Sequence, residues 1–268
     1  MLIFKFSYLL AGDCRRDLCN VLLWLPVNIV QIFSFLLLCC ILIPAALIVR
    51  LVTGSSRAAI WMAHQWWGPI VVGGSLARLF VSGLKFIQPE KSYLVVANHQ
   101  SFFDIPVLYA SLPSPIHFVS AEKIRAFPGV GRFGCAVGTI FLQKNSRLSM
   151  ARGVRELAFY LREGRTTVLF PEGTRTRDGT MGPFYPALFT AAIEAGVEIL
   201  PVAIVGSGTV MPRGSGFLFR PAKVEVRIGS PISTQGLKRS DRESVAHQAW
   251  KAVDWLRIRR KSKSALHA

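Results

Sequence analysis

An α/β fold is predicted: a single mixed sheet flanked by helices, preceded by an N-terminal apolar membrane helix or helical pair. Three observations predict it. From Gly83 onward, short apolar runs of strand length alternate with helical patterns, as a layered sheet-and-helix fold requires. The stretch from Val21 to Val49 contains no charged residue. Between Ser146 and Glu163, apolar residues recur at helical spacing. With 268 residues the chain can bury a full core. The expected organisation is an N-terminal membrane-anchoring region over 1–82, a catalytic α/β domain over 83–240, and a C-terminal amphipathic helix with a basic tail over 241–268.

The elements follow in order. At 1.5 Å per residue, the uncharged run from Val21 exceeds a hydrocarbon core of about 30 Å, so a tilted membrane helix is expected, kinked at Pro26 and Pro44. Its length, and the lack of a clear small-residue cleavage site, disfavour a signal peptide. Arg15 and Arg16 precede the run while Arg50 and Arg57 follow it, so flanking charge does not set its orientation. Ala58 to Val81, with Trp61, Trp66 and Trp67, reads as an interfacial belt rather than a second span, and His64 as an interfacial side chain. Tyr93–Ala97 is a buried strand, and Asp104-Ile105-Pro106 opens a helix, where proline is tolerated. Further strands are expected at His117–Ala121, Thr139–Gln143, Thr166–Phe170, Ile199–Val205 and Lys223–Ile228. Phe127–Gly131 and Met211–Gly216 read as loops. In the helix from Ser146 to Glu163, Leu148, Ala151, Val154, Leu157, Ala158 and Leu161 keep one face apolar. A final amphipathic helix spans Asp241 to Ile258 and runs into Arg259-Arg260-Lys261-Ser262-Lys263.

The formal charge is +17, in a chain that is 51% hydrophobic. That combination suits a protein sitting on anionic lipid and handling anionic substrates. Nucleic acid is the rival partner, and the apolar leader and the lack of zinc spacing or an aromatic RNA-binding signature argue against it. The five cysteines are odd in number and form no Cys-x-x-Cys pair, so neither a disulfide framework nor a zinc site is indicated. A reducing, cytosolic side fits best.

The chemistry lies in Asn98-His99-Gln100-Ser101-Phe102-Phe103-Asp104 and in Phe170-Pro171-Glu172-Gly173-Thr174-Arg175. A neutral imidazole accepts a proton near physiological pH, and a carboxylate on its other nitrogen fixes the tautomer that leaves a lone pair free. Residues five apart lie roughly 140° round a helix, so His99 and Asp104 meet only across a turn. That places His99 at a strand exit, where open α/β sheets bind ligands. Ser101-x-x-Asp104 also fits a variant of the capping box, a purely structural role. No Gly-x-Ser-x-Gly elbow is present, so the attacking group belongs to the substrate. An acyl-enzyme through Cys135, set among glycines between the two motifs, is the covalent alternative.

After the strand at Thr166, Gly173 allows close backbone approach to an anion and Arg175 offers a planar fork of donors, with Arg177 adding charge. Glu172 repels a phosphate unless it binds a hydroxyl or an arginine. Lys144 and Arg147 are further candidates for phosphate contact, Lys144 being favoured.

These residues resemble the glycerolipid acyltransferase family, and in particular bacterial 1-acyl-glycerol-3-phosphate acyltransferases, from about Leu84 to Ile232. The family's Asn-His-x-x-x-x-Asp and Phe-Pro-Glu-Gly-Thr-Arg motifs are complete. Gly138–Lys144 resembles the family's second motif, with lysine where arginine is usual, which keeps the charge and loses the bidentate fork. Ile199–Ile204 resembles the fourth. Pro183-Phe184-Tyr185-Pro186-Ala187 departs from the usual Pro-Phe-Lys-x-Gly.

The resemblance implies a glycerol-3-phosphate acyltransferase-like fold. It also implies direct acyl transfer from acyl-CoA or acyl carrier protein to the sn-2 hydroxyl of 1-acyl-sn-glycerol-3-phosphate, giving phosphatidic acid. His99 would be the general base, oriented by Asp104, while Lys144, Glu172, Gly173, Thr174 and Arg175 would bind the acceptor. No metal or cofactor beyond the thioester is expected. The setting would be the cytoplasmic membrane, with the catalytic domain facing the cytosol. The alternatives are an acyltransferase for another lysolipid, such as lyso-ornithine lipid, and a non-catalytic lipid-binding protein.

Overall fold

The computed structural model describes residues 14–127, 129–176, 180–214 and 219–259, with side chains in the first helix from Leu25 onward. Arg177, Pro128, Ser215, Gly216 and the tail from Arg260 lie outside the described residues.

The first helix, α1 (Cys14–Thr53), contains Pro26 and Pro44. Its stretch Leu25–Thr53 is long and apolar enough to cross a membrane. One stripe of it packs on the rest of the chain. Ala46 is fully buried, Phe35 and Leu38 lie against the core, and Asn28 accepts a hydrogen bond from the Phe219 backbone N–H at 2.7 Å. The opposite face leaves Ile29, Phe33, Leu37, Ile41 and Leu51 exposed. An apolar face of that extent suits a lipid surface, and the chain is membrane-associated.

Helix α2 (Arg57–Met62), a π turn (Ala63–Trp67) and α3 (Gly68–Gly74) follow without a break. Trp61 and Trp66 are exposed, as an interfacial belt requires, but Ala59, Ile60 and Ala63 join the core. His64 is only 8% exposed, which corrects its reading as an interfacial side chain. The π turn rotates it inward, toward Tyr109 and Pro113.

The sheet has seven strands: β1 (Arg78–Ser82), β2 (Leu94–Ala97), β3 (His117–Ala121), β4 (Ile140–Leu142), β5 (Thr167–Leu169), β6 (Ile199–Val205) and β7 (Lys223–Ile228). Their spatial order is β1-β7-β6-β2-β5-β3-β4, with every pair parallel except β6 with β7. The mixed sheet was thus legible in the sequence, apart from β1. That strand is exposed at alternate positions, and it pairs with β7 ahead of the boundary expected at residue 83.

Helices α4 (Asp104–Ser111), α5 (Glu122–Arg125), α6 (Val130–Ala136), α7 (Arg147–Arg162), α8 (Phe189–Ala195), α9 (Ser207–Val210) and α10 (Arg242–Ile258) complete the chain. Helix α6 begins inside the segment expected to be loop. Ser146 caps α7 by accepting from the Ser149 backbone N–H at 3.2 Å.

Strand periodicity sorts β2 between two cores. Val95 and Ala97 face α3 and α4, whereas Leu94 and Val96 face α7, α8 and α10. Val245, Ala246, Ala249 and Val253 of α10 are buried in the second core. Residues on both sides of 82/83 pack in the first core, and residues on both sides of 240/241 in the second.

At the start of β3, His117 is 6% exposed, with Nδ1 3.3 Å from the Gly138 carbonyl and its ring edge-on to Tyr160. Burial, with Arg165 nearby, lowers its pKa from 6.5 to about 4. Between those values the unfolded chain binds a proton that the folded chain refuses. Stability therefore falls as pH drops through that window, by up to about 3 kcal/mol. Thermal unfolding followed from neutral pH to pH 4 should show a shallower decline in His117→Gln than in the wild type. Equal slopes would rule this group out.

Candidate active site

Three adjacent parallel strands, β6, β2 and β5, end on the same side of the sheet. The exits of β2 and β5 carry the two motifs, and β6 lies beside β2. Asn98, at the end of β2, continues the ladder with its side chain: Nδ2 donates to the Ile204 carbonyl at 2.9 Å, and Oδ1 accepts from the Ile204 N–H at 2.8 Å. It is 1% exposed, and it fixes where the next residue leaves the sheet.

That residue is His99. Its Nδ1 lies 2.7 Å from Asp104 Oδ2, the histidine side chain being 14% exposed and the aspartate 0%. The same carboxylate oxygen accepts from the backbone N–H groups of Gln100 at 2.8 Å and Ser101 at 3.0 Å. Ser101 Oγ accepts from the Phe103 N–H at 3.1 Å and donates to the Met211 carbonyl. The hydrogen bonds that hold the turn and the acid–base pair thus coexist, because one oxygen of Asp104 serves both, and the helix carries no side-chain cap. With Nδ1 so engaged, Nε2 is the ring atom left to accept a proton.

The Phe170–Arg175 motif grips the histidine from the other side. The Phe170 ring stacks on the imidazole, centroids 4.1 Å apart. Glu172 Oε1 accepts from the His99 backbone N–H at 2.8 Å, and Oε2 accepts from the Gly182 N–H at 2.9 Å. The His99 carbonyl accepts from the Thr176 N–H at 2.9 Å. Glu172 is 5% exposed, and burial outweighs its two N–H partners in raising its pKa. Both its oxygens face backbone donors, so its partners are amides rather than the hydroxyl or arginine considered from sequence.

Of the other expected residues, Arg175 is half-buried, its guanidinium 3.9 Å from the Phe102 ring centroid, over the same turn that holds His99 and Asp104. Arg213 donates to the Arg175 carbonyl at 2.7 Å, so two guanidiniums adjoin here. Burial and Arg213 lower the Arg175 pKa. Gly173 has φ +64°, and a Cβ there would lie 3.3 Å from Lys144 Nζ, which brings Lys144 beside the motif loop. That ammonium lies 3.5 Å over the Tyr185 ring, so the departure at the Pro183–Ala187 element gives the lysine an aromatic partner. Thr174 is exposed. Arg147 is exposed on the first turn of α7. Cys135 is exposed on α6, away from these residues. Among the described residues no group of His, Cys, Asp and Glu is arranged to hold a metal ion.

Sequence reasoning assigned no role to Phe170, Thr176 or Arg213. The first lay inside a quoted motif, where a stacked ring on the imidazole was the available signal. Arg213 sat in a Pro/Gly segment read only as a turn.

The fold and the ordered motifs define an acyltransferase. A family model described as Acyltransferase matches residues 78–205, from β1 to the end of β6. A lyso-ornithine lipid O-acyltransferase of Pseudomonas aeruginosa is 34% identical over 204 residues, covering 70% of this chain and 76% of that protein. The chain belongs to the acyltransferase family. A chloroplastic 1-acyl-sn-glycerol-3-phosphate acyltransferase of Arabidopsis thaliana is 35% identical over 156 residues, 58% of this chain and 44% of its own length. Against this and similar curated relatives from Chlamydomonas reinhardtii and Brassica napus, the chain spans 40–44% of their length. The crystal structure of the 1-acyl-sn-glycerophosphate acyltransferase PlsC from Thermotoga maritima aligns with a TM-score of 0.69 and 26% identity, covering 88% of this chain and 98% of that one.

Proposed function

We propose that the protein transfers an acyl group from an acyl thioester, on CoA or acyl carrier protein, to the sn-2 hydroxyl of 1-acyl-sn-glycerol-3-phosphate, giving phosphatidic acid. The observation that carries this reading is the 2.7 Å pairing of His99 with buried Asp104, in a turn that the Arg175 guanidinium covers. His99 Nε2 takes the hydroxyl proton as the alcohol oxygen attacks the thioester carbonyl. The tetrahedral oxyanion collapses, the C–S bond breaks, and the imidazolium returns the proton to the leaving thiolate. A thioester is already activated, so alignment and deprotonation suffice and no acyl-enzyme is needed. Asp104 holds the tautomer and favours the imidazolium. Arg175 and Lys144, with the backbone at Gly173 and Thr174, receive the acceptor phosphate, and Glu172 positions His99 rather than touching the lipid. The exposed face of α1 keeps the site at the lipid surface, which we place at the cytoplasmic membrane with the domain facing the cytosol.

Purified protein in detergent should release free thiol from acyl-CoA or acyl carrier protein only when the lysolipid is supplied. Arg175→Gln should raise KM for lysophosphatidic acid by about tenfold, the worth of one charge-assisted contact, with kcat little changed. A second reading, lyso-ornithine lipid as acceptor, is favoured by the Pseudomonas relative, of which the chain covers 76%, and by Tyr185 in place of the expected lysine. An acceptor panel separates the two. Faster turnover of a lysolipid without phosphate, with its KM unmoved by Arg175→Gln, would overturn the phosphate assignment.

A further inference from the structure

A cavity of about 570 Å³ opens at the β4 edge of the sheet and shares no residue with the His99 site. Its charged side chains come from four parts of the chain. The end of α1, the turn after it and the first residue of α2 supply Arg50, Gly54, Ser55, Ser56 and Arg57, α5 supplies Arg125, α7 supplies Arg152 and Glu156, and the turn before β5 supplies Arg165. Five guanidiniums thus face one space whose single carboxylate is Glu156. Arg125 has a second acid nearby, Glu122 at 3.4 Å, and Arg165 lies 4.6 Å over the Tyr160 ring. Such a grouping of like charge is self-repulsive, and a bound anion offsets the repulsion while using the planar forks that match phosphate oxygens.

Its surroundings say which anion. The cavity begins where the apolar helix ends. Leu51 and Val52, next to Arg50, are 85% and 78% exposed, and Phe159, beside the Arg165 guanidinium, is 51% exposed. A water-soluble anion gains nothing from apolar side chains beside the arginines. A lipid uses both: its headgroup phosphate meets the arginines while its acyl chains follow the exposed face of α1. We propose that this cavity binds the phosphate-bearing headgroup of an anionic glycerophospholipid of the host membrane, at a site distinct from that of the acyl acceptor. Bound there, the lipid ties the end of α1 to the β4 edge and sets the depth at which the domain rides on the bilayer.

Cys135 lines the cavity and is exposed, so it reports occupancy. The full chain in a neutral detergent is treated with iodoacetamide and labelling at Cys135 is timed by peptide mass spectrometry. Titrating dihexanoyl phosphatidylglycerol should slow it saturably, by about tenfold once lipid exceeds its dissociation constant tenfold. Dihexanoyl phosphatidylcholine should not protect. The Arg57→Gln/Arg152→Gln double variant, whose changes lie outside the His99 site on exposed side chains, should lose protection while keeping its circular dichroism and its thioester turnover. No protection in the wild type, equal protection by phosphatidylcholine, or undiminished protection in the variant would each overturn the site. Inorganic phosphate or CoA protecting as well as phosphatidylglycerol at the same concentration would overturn the lipid assignment in favour of a free anion or the donor.

Discussion

Replacing His99 with alanine should cut turnover about a hundredfold to ten-thousandfold, the range a positioned general base supplies, and leave the fold intact. The side chain is 14% exposed, and its own removal opens space toward solvent. What the variant loses is the acceptor for the alcohol proton. Its backbone N–H and carbonyl keep Glu172 and Thr176, so the turn stays closed. Asp104→Asn tests the other half of the pair and should be nearly as damaging. Oδ2 collects three donors: His99 Nδ1 and the N–H groups of Gln100 and Ser101. An amide oxygen can keep the two backbone bonds, but it offers no charge to favour an imidazolium. Oδ1 has no hydrogen-bond partner among the described residues, so an amide nitrogen placed there would be a buried donor without an acceptor. Thiol release in the presence of lysolipid, with circular dichroism as the control for folding, measures both variants. Wild-type rates in His99→Ala would remove the imidazole from the mechanism, and the proposed function with it.

Local pattern made much of this legible. Strands β3, β6 and β7 span the residues their apolar runs mark, and α7 lies between Ser146 and Glu163 because its cap and its apolar face are both local signals. The meeting of His99 with Asp104 followed from the strand–turn–helix reading of seven consecutive residues. What was not legible depends on contacts between distant segments. Strand β1 alternates weakly and owes its place to pairing with β7, about 145 residues further on. His64 looks interfacial until the π turn faces it inward. The arginine cavity draws on residues from Arg50 to Arg165, which no window of sequence brings together. Glu172 is the instructive case. Its motif marks it as functional, but nothing near it in sequence tells that its two oxygens are committed to amides at His99 and Gly182.

Those commitments make Glu172→Gln the sharpest probe of how the histidine is held. A glutamine presents one oxygen and one NH₂ group, so only one of the two backbone N–H groups keeps an acceptor while the other faces a donor. Left unsatisfied, a buried N–H costs about 1–3 kcal/mol. Against that stands the charge itself. Burial raises the Glu172 pKa, so the folded chain holds the proton more tightly than the unfolded one. Stability attributable to this group therefore increases as pH falls through the folded pKa, and the ionised form is the costly one at neutral pH. Removing the charge recovers part of what the lost hydrogen bond forfeits, and the melting temperature should move by only a few degrees. Catalysis has no such compensation. If the His99 amide is the one released, the imidazole loses the anchor that aims Nε2, and misplacement of a catalytic group by about 1 Å costs on the order of a hundredfold. The expected signature is a fall in kcat of that size with KM for the lysolipid nearly unchanged. A residue that bound the acceptor would instead raise KM, and a merely structural one would lower stability and activity together. Thermal melts and acceptor-saturation kinetics on the same preparation distinguish the three, and a KM effect would place Glu172 in the lipid-binding group.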